Sequence, residues 1–386
     1  MHPLDEFPVH QVPLSMEQVA SSDRNAYDRY YFNAQDRTGE VFVVSGFGVY
    51  PNLGVRDAYV TIRHGDRQVT VRMSDALAQG AADDRLHPQV GAYRIEVIEP
   101  LQRVRIVCDT PDQGIEADLT WTGSFPVLEE PAHVMRQGDK VILDACRFAQ
   151  LGTWSGRLRL DDHEWTVTDD RWVGSRDRSW GIRPVGEPEP AGRAAAEADP
   201  DFGFWWMYTP LRFDDFAIVL IAQEDGHGHR LLNEAVRIWP AESGRRPEQL
   251  GWPRFDVHYL PGTRNPTGTT VQLTEPDGTP FTMEVETVGA GRGFVALMAG
   301  PGYGGDPDWG HGQWRGRDWV ERFEVDMTDP AVAGRIPFGM SDHVGRARIG
   351  NGDEPGGVIE GWGLFEHASI GRHQPSGFDD FFSVAP

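Results

Sequence analysis

Apolar and polar positions alternate with a period of two over most of this chain. Residues 28–36 (DRYYFNAQD) and 39–45 (GEVFVVS) flank Asp36-Arg37-Thr38-Gly39, a hairpin turn by composition. Residues 57–63 (DAYVTIR) and 68–73 (QVTVRM) repeat the pattern around His64-Gly65-Asp66. Residues 93–98 with 104–108, and then 115–122, continue it. Turn signals recur every eight to twelve residues or so, the spacing of an antiparallel barrel or sandwich. Stretches at period 3.6 are scarce; Ser74 is placed to cap a short helix through Gln79, with Gly80 ending it. The pattern predicts an all-β protein.

The same reading divides the chain. Residues 152–159 (GTWSGRLR) and 164–173 continue the strands into 171–183 (RWVGSRDRSWGIR), which packs an acid, two indoles and four guanidinium groups into one segment. Residues 184–201 follow, rich in Pro, Ala and acid, with no apolar period: a connector. The second half opens much as the first did, with aromatic strand 204–209 (FWWMYT), apolar strand 216–221 (FAIVLI), a Gly turn at 225–229 and a strand over 231–239. This is a repeat of architecture rather than of sequence. Both halves end on Trp-Gly near carboxylates, Trp180-Gly181 and Trp362-Gly363. We therefore expect a β domain over 1–183, opened by a weakly patterned arm (1–24), a linker over 184–201 and a second β domain over 202–386.

Composition narrows the function. The 386 residues suffice for two domains with real cores, and 39% hydrophobic content is globular. Thirteen Trp and 19 Phe favour large flat apolar surfaces, in cores or around a ligand. A net charge of −23 argues against nucleic acid and anionic membranes as partners. Cys108 and Cys146 are too few for a disulfide framework and too far apart for a metal knuckle. The start lacks a basic region followed by an apolar one, and no apolar run approaches about 18 residues. These features predict a cytoplasmic protein without membrane insertion.

An all-β chain in two halves, the first ending in Asp177-Arg-Ser-Trp180-Gly181, resembles the lipocalin-like tandem β-barrel superfamily. That group includes CrtC-type carotenoid 1,2-hydratases, AttH-like and tocopherol-cyclase-like proteins, and fungal lipocalin-type Diels–Alderases. Residues 174–183 (GSRDRSWGIR) look like the Gly-x-Arg-Asp-His-Ser-Trp-Gly-x-Arg element of bacterial members, and 46–52 (GFGVYPN) is similar to theirs too. The hydratases carry Asp-His-Glu-Trp here. This chain keeps the Asp and Trp as Asp177 and Trp180, and has Arg178 and Ser179 between them. The resemblance implies two tandem lipocalin-like antiparallel barrel or sandwich domains and a hydrophobic small-molecule ligand. It implies cofactor-independent, acid-assisted hydration or dehydration, isomerisation or cyclisation of an isoprenoid, steroid or polyketide-like substrate in an apolar cavity. A non-catalytic carrier of the same fold is the alternative.

Such chemistry needs a buried carboxylic acid of raised pKa and π-faces that stabilise a developing cation. Asp177 is the expected acid, with Glu366, His367 and His343 as partners from the second half. Trp180, Trp206, Tyr208, Tyr303 and Trp362 are the expected substrate-binding walls. Asp177 and Trp180 have opposite parity, so a regular strand sends them to opposite faces. Asp177 also has Arg neighbours with which it would pair as a structural anion. His227 and His229 sit in a Gly-rich turn without a third ligand and read as a hairpin tip, so no metal is expected. Residues 300–305 (GPGYGG) read as a loop over a barrel mouth, and 309–319 (WGHGQWRGRDW) as a packing or ligand-facing run. There is no Gly-x-Ser-x-Gly elbow.

Overall fold

A computed structural model describes residues 3–9, 19–77, 85–188, 201–289, 293–335, 337, 339–350 and 357–386. The period-two segments pair into two antiparallel sheets. In the first, neighbours run from Arg67–Ala76 through Val55–His64, Val41–Tyr50, Ala26–Gln35, Val173–Ile182, Lys140–Leu160 and Ile115–Gly123 to Arg103–Thr110 and Tyr93–Glu99. The second runs from Arg230–Ile238 through Ala217–Glu224, Gly203–Arg212, Ile359–Gly371, Ser341–Ile349 and Pro280–Thr287 to Pro266–Thr274 and Arg254–Tyr259. In each half the opening strand is hydrogen-bonded to the closing one, Ala26–Gln35 to Val173–Ile182 and Gly203–Arg212 to Ile359–Gly371. The repeat read from the sequence is therefore an architectural one.

Alternation sorts most apolar side chains of the described residues into three large cores, with two smaller clusters beside them. Tyr30, Phe32, Val43, Val60, Trp121 and Trp154 fill the first sheet's concavity, while Trp205, Met207, Leu220, Met283 and Phe365 fill the second's. Their strand neighbours Tyr31, Phe42, Val44, Trp206, Tyr208 and Leu364 form a third core between the sheets. Ala26–Gln35 and Val41–Tyr50 are thus buried at every position, because both of their faces are covered. The two Trp-Gly glycines serve this packing. A Cβ on Gly181 would lie 2.0 Å from the Asp144 carbonyl oxygen, and one on Gly363 1.9 Å from that of Pro210.

The second half also crosses onto the first. Trp319–Asp326 adds an outer strand to Arg67–Ala76, pairing Trp319 with Ser74 and Asp326 with Arg67. This corrects the helix expected from Ser74. Residues through Ala76 are strand, since ladder pairing on both sides outweighs a local cap signal, and residues 78–80 lie outside the described residues. The glycine-rich segment before that strand lies on the first sheet and is pinned there. Gln68 bonds the backbone of Ala296 and Ala299, and Arg72 pairs with buried Asp306. His227 and His229 are exposed at a turn tip capped by Asp225. Of the connector, residues 189–200 lie outside the described residues.

Candidate active site between the two sheets

The closing strand Val173–Ile182 is regular, with Tyr31 opposite Asp177 on one side and Ala149 opposite it on the other. Its even positions face the first sheet's interior, where each guanidinium already has an acid. Arg176 lies 2.7 Å from Glu6, and Arg178 pairs with Asp28 while stacking 3.8 Å over Tyr30. Asp177 and Ser179 point the other way, into a cavity of about 120 Å³ between the sheets. The first half lends it Tyr27, Tyr31, Glu130, His133, Arg147 and Arg183 as well, and the second half Phe204, Trp206, Tyr208, Tyr303, Met340 and Glu366.

Asp177, Glu366, Trp206, Tyr208 and Tyr303 of the expected residues thus meet in one chamber. The other four do not reach it. Trp180 follows the strand's parity to the opposite face. His367, next to Glu366, is turned into the second sheet, 2.9 Å from the Tyr259 hydroxyl and 2.7 Å from the Trp206 carbonyl. His343 likewise lies 3.0 Å from Ser341 Oγ with its ring against Phe294. Burial holds both imidazoles neutral, at about 3. Trp362 shares the parity of Glu366 but stands four residues along the strand, roughly 13 Å away, under the Arg346 guanidinium. The lining also differs from the apolar hollow expected, because it carries carboxyl, guanidinium and imidazole groups among its rings.

Electrostatics separates the acids. Asp177 makes no hydrogen bond or ion pair with a described residue, so the structural-anion reading does not hold. Burial, reinforced by Glu130, pushes its pKa up to about 7 against the pull of Arg147. Glu130 is raised by burial and faces Arg147 Nε at 2.9 Å. Arg147 stacks over Trp206 at 5.2 Å, and His133 lies parallel to the same indole at 5.6 Å while bonding Gln223. Glu366 accepts the Trp206 indole N–H at 2.5 Å, and Asp342, its cross-strand neighbour, accepts the Tyr31 hydroxyl at 2.5 Å. Burial first, and Glu366 second, hold Asp342 well above the carboxylate range; burial also raises Glu366. The two neighbouring carboxyls disfavour being charged together, so the pair titrates as a unit.

Glu130, Arg147, His133, Arg183, Tyr31 and Asp342 were not among the expected site residues. Asp342 had a signal, since it is adjacent in sequence to the expected site residue His343. Glu130 and His133 sit in a stretch without period, so nothing local assigns them a face.

The chain belongs to a family of unknown function, DUF8625, whose profile matches residues 1–379. No curated protein matches it. Kievitone hydratase from Nectria haematococca is 9% identical with a TM-score of 0.52, over 94% of this chain and 96% of that one. A putative AttH from Nitrosomonas europaea is 14% identical with a TM-score of 0.49, over 94% and 98%. CghA crystallised with Sch210972 is 11% identical with a TM-score of 0.49, over 90% and 89%. The fold is the lipocalin-like tandem arrangement of two curled antiparallel sheets. Among the described residues no helix is long and apolar enough to cross a membrane.

Proposed function

We propose that this protein is a cofactor-independent, acid-assisted enzyme that adds water to, or removes it from, a small hydrophobic molecule held between its two sheets. The observation that carries the reading is Asp177, a carboxyl with no ion-pair partner among the described residues, raised to about 7 at the wall of a cavity lined by aromatic rings. A carboxyl of that pKa is about half protonated at neutral pH and gives up its proton readily, the property a general acid needs. In the hydration direction its proton passes to an alkene carbon. The cation that forms is stabilised by the faces of Trp206 and Tyr208. A carboxylate across the cavity, Glu130 or Glu366, takes the proton of the attacking water as the new C–O bond forms. Dehydration reverses each step, and isomerisation or cyclisation shares the first.

The volume limits the ligand. About 120 Å³ accepts one ring or a branched terminus, so a longer isoprenoid or polyketide chain presents only its reacting end. A cytoplasmic setting suits the free thiols of Cys108 and Cys146.

Kievitone, short terpenoid alkenes and their tertiary alcohols serve as probes in water enriched in oxygen-18, with label uptake read by mass spectrometry. Asp177→Asn is expected to lose turnover by at least about 100-fold while ligand quenching of tryptophan fluorescence persists. If Asp177→Asn turns over like wild type, or wild type binds these probes without converting any, the acid assignment fails and a carrier takes its place.

A further inference from the structure

Of the two guanidinium groups that line the chamber, only one has an acid partner among the described residues. Arg147 is matched by Glu130. Arg183, just past the closing strand, and Arg29, in Ala26–Gln35, have no carboxylate within 4.0 Å and no side-chain hydrogen bond among the described residues. Both guanidinium groups lie against one ring instead, Arg29 at 5.0 Å and Arg183 at 5.8 Å from the Tyr303 centroid. Arg183 also faces Tyr27 at 5.4 Å, and its buried Nε has no partner. Other buried guanidinium groups are satisfied, Arg72, Arg176 and Arg178 by acids and Arg63 and Arg264 by backbone carbonyls.

The acids nearby are already occupied. Glu366 takes the Trp206 indole N–H and lies beside Asp342, and Asp177, at about 7, keeps most of its proton at pH 6. Beside Arg29, Asp57 accepts the Gly312 N–H at 2.7 Å and is pushed by burial up to about 7. His311, against Tyr303 at 4.9 Å, is held neutral by burial and adds no charge. A guanidinium held only by ring faces still has its in-plane donors to offer, and the partner that best fits its fork is a carboxylate.

We infer that Arg183, supported by Arg29 across Tyr303, forms an oxyanion subsite that anchors the carboxylate of a small aromatic or unsaturated acid in the cavity between the sheets. The subsite deepens the proposed function, on which it rests for the position of the reacting bond: one end of the substrate is held by Arg183 while Asp177 addresses the other. Trp206 and Tyr208 supply the apolar wall between them.

Benzoate and its neutral isostere benzamide test this by calorimetry on the full chain at about pH 6 and low salt. Wild type is expected to bind benzoate at least about tenfold more tightly than benzamide, with the preference falling as salt rises. Arg183→Gln should erase the preference with benzamide binding kept within about threefold. Arg183→Lys should retain part of it, having the charge without the fork. Equal binding of the two probes by wild type, binding of neither, or a preference that survives Arg183→Gln would overturn the subsite. If Arg183→Gln melts below the assay temperature, the wild-type preference, its salt dependence and Arg183→Lys decide. Asp177→Asn should keep the benzoate preference. A variant that keeps both preference and turnover sinks the acid assignment and leaves the subsite standing.

Discussion

Asp177 combines a chemical role with a stability cost that can be measured separately from it. Its carboxyl titrates near 3.8 in an unperturbed chain and at about 7 in the fold. Below about pH 4 both states are protonated and the residue costs nothing. As pH rises towards 7 the unfolded chain releases its proton while the fold retains it, so stability is lost across that window and stays lost above it. Asp177→Asn removes the loss. The variant should match wild type near pH 4 and exceed it by roughly 1–3 kcal/mol above pH 7, read from urea denaturation at several pH values. Turnover should run the opposite way, falling above about pH 7 in wild type as the acid empties. A stability difference independent of pH would mean that the carboxyl does not sense burial. The cross-strand pair Asp342 and Glu366 shows the same physics beside the same cavity. There the Tyr31 hydroxyl donates to Asp342 and the Trp206 indole N–H to Glu366.

Strands, rather than single residues, decide which groups meet. The period-two pattern was sufficient to read most of the strands along the chain, but not the stretch 128–151 or the pairing of first strand with last. Parity alone assigns Asp177 and Trp180 to opposite faces, and Glu366 and His367 likewise, once the strands prove regular. What parity does not reveal is which face of a doubly covered strand meets the other sheet. Tyr30 and Tyr31 are both buried and equally aromatic, and only the stacking of the sheets makes the second a site residue. Glu130 was illegible for a different reason, because it reaches the cavity from a stretch with no repeat. The glycine-rich residues 300–305 were legible as a loop, but not the contact that fastens the segment they open. Arg72, 1% exposed, lies 2.6 Å from Glu321 and 3.6 Å from fully buried Asp306, with Phe323 under its guanidinium at 4.7 Å. Asp306 in turn accepts the N–H groups of Gly300, Asp308 and Trp309. Arg72→Met strands that acid and should cost roughly 3 kcal/mol by urea denaturation, with part recovered in the Arg72→Met/Asp306→Asn double variant. A loss under about 1 kcal/mol would show that the loop is held by its backbone contacts instead.

At the scale of the whole molecule, the two halves are separable in sequence but interlocked in space. The cavity takes its acid from one half and its main aromatic wall from the other, so neither half holds the complete site. The interlock goes further than contact, because Trp319–Asp326 completes the first sheet's edge across eight paired residues. Removing it would bare a strand that carries Val69, Val71 and Met73 together with unpaired backbone groups, the kind of edge that templates association. The same cut would expose Tyr31, Phe42, Val44, Tyr59 and Leu151, which pack between the sheets. It would also leave the guanidinium of Arg72 without Asp306 and Glu321. We therefore expect a fragment of residues 1–188 to lack a cooperative near-ultraviolet circular dichroism melt, to bind a hydrophobic dye and to associate on gel filtration, while the full chain unfolds in one transition. A monomeric fragment melting cooperatively within a few degrees of the full chain would show that the interlock contributes little. The first half would then be a self-sufficient barrel to which the second adds only a wall of the site.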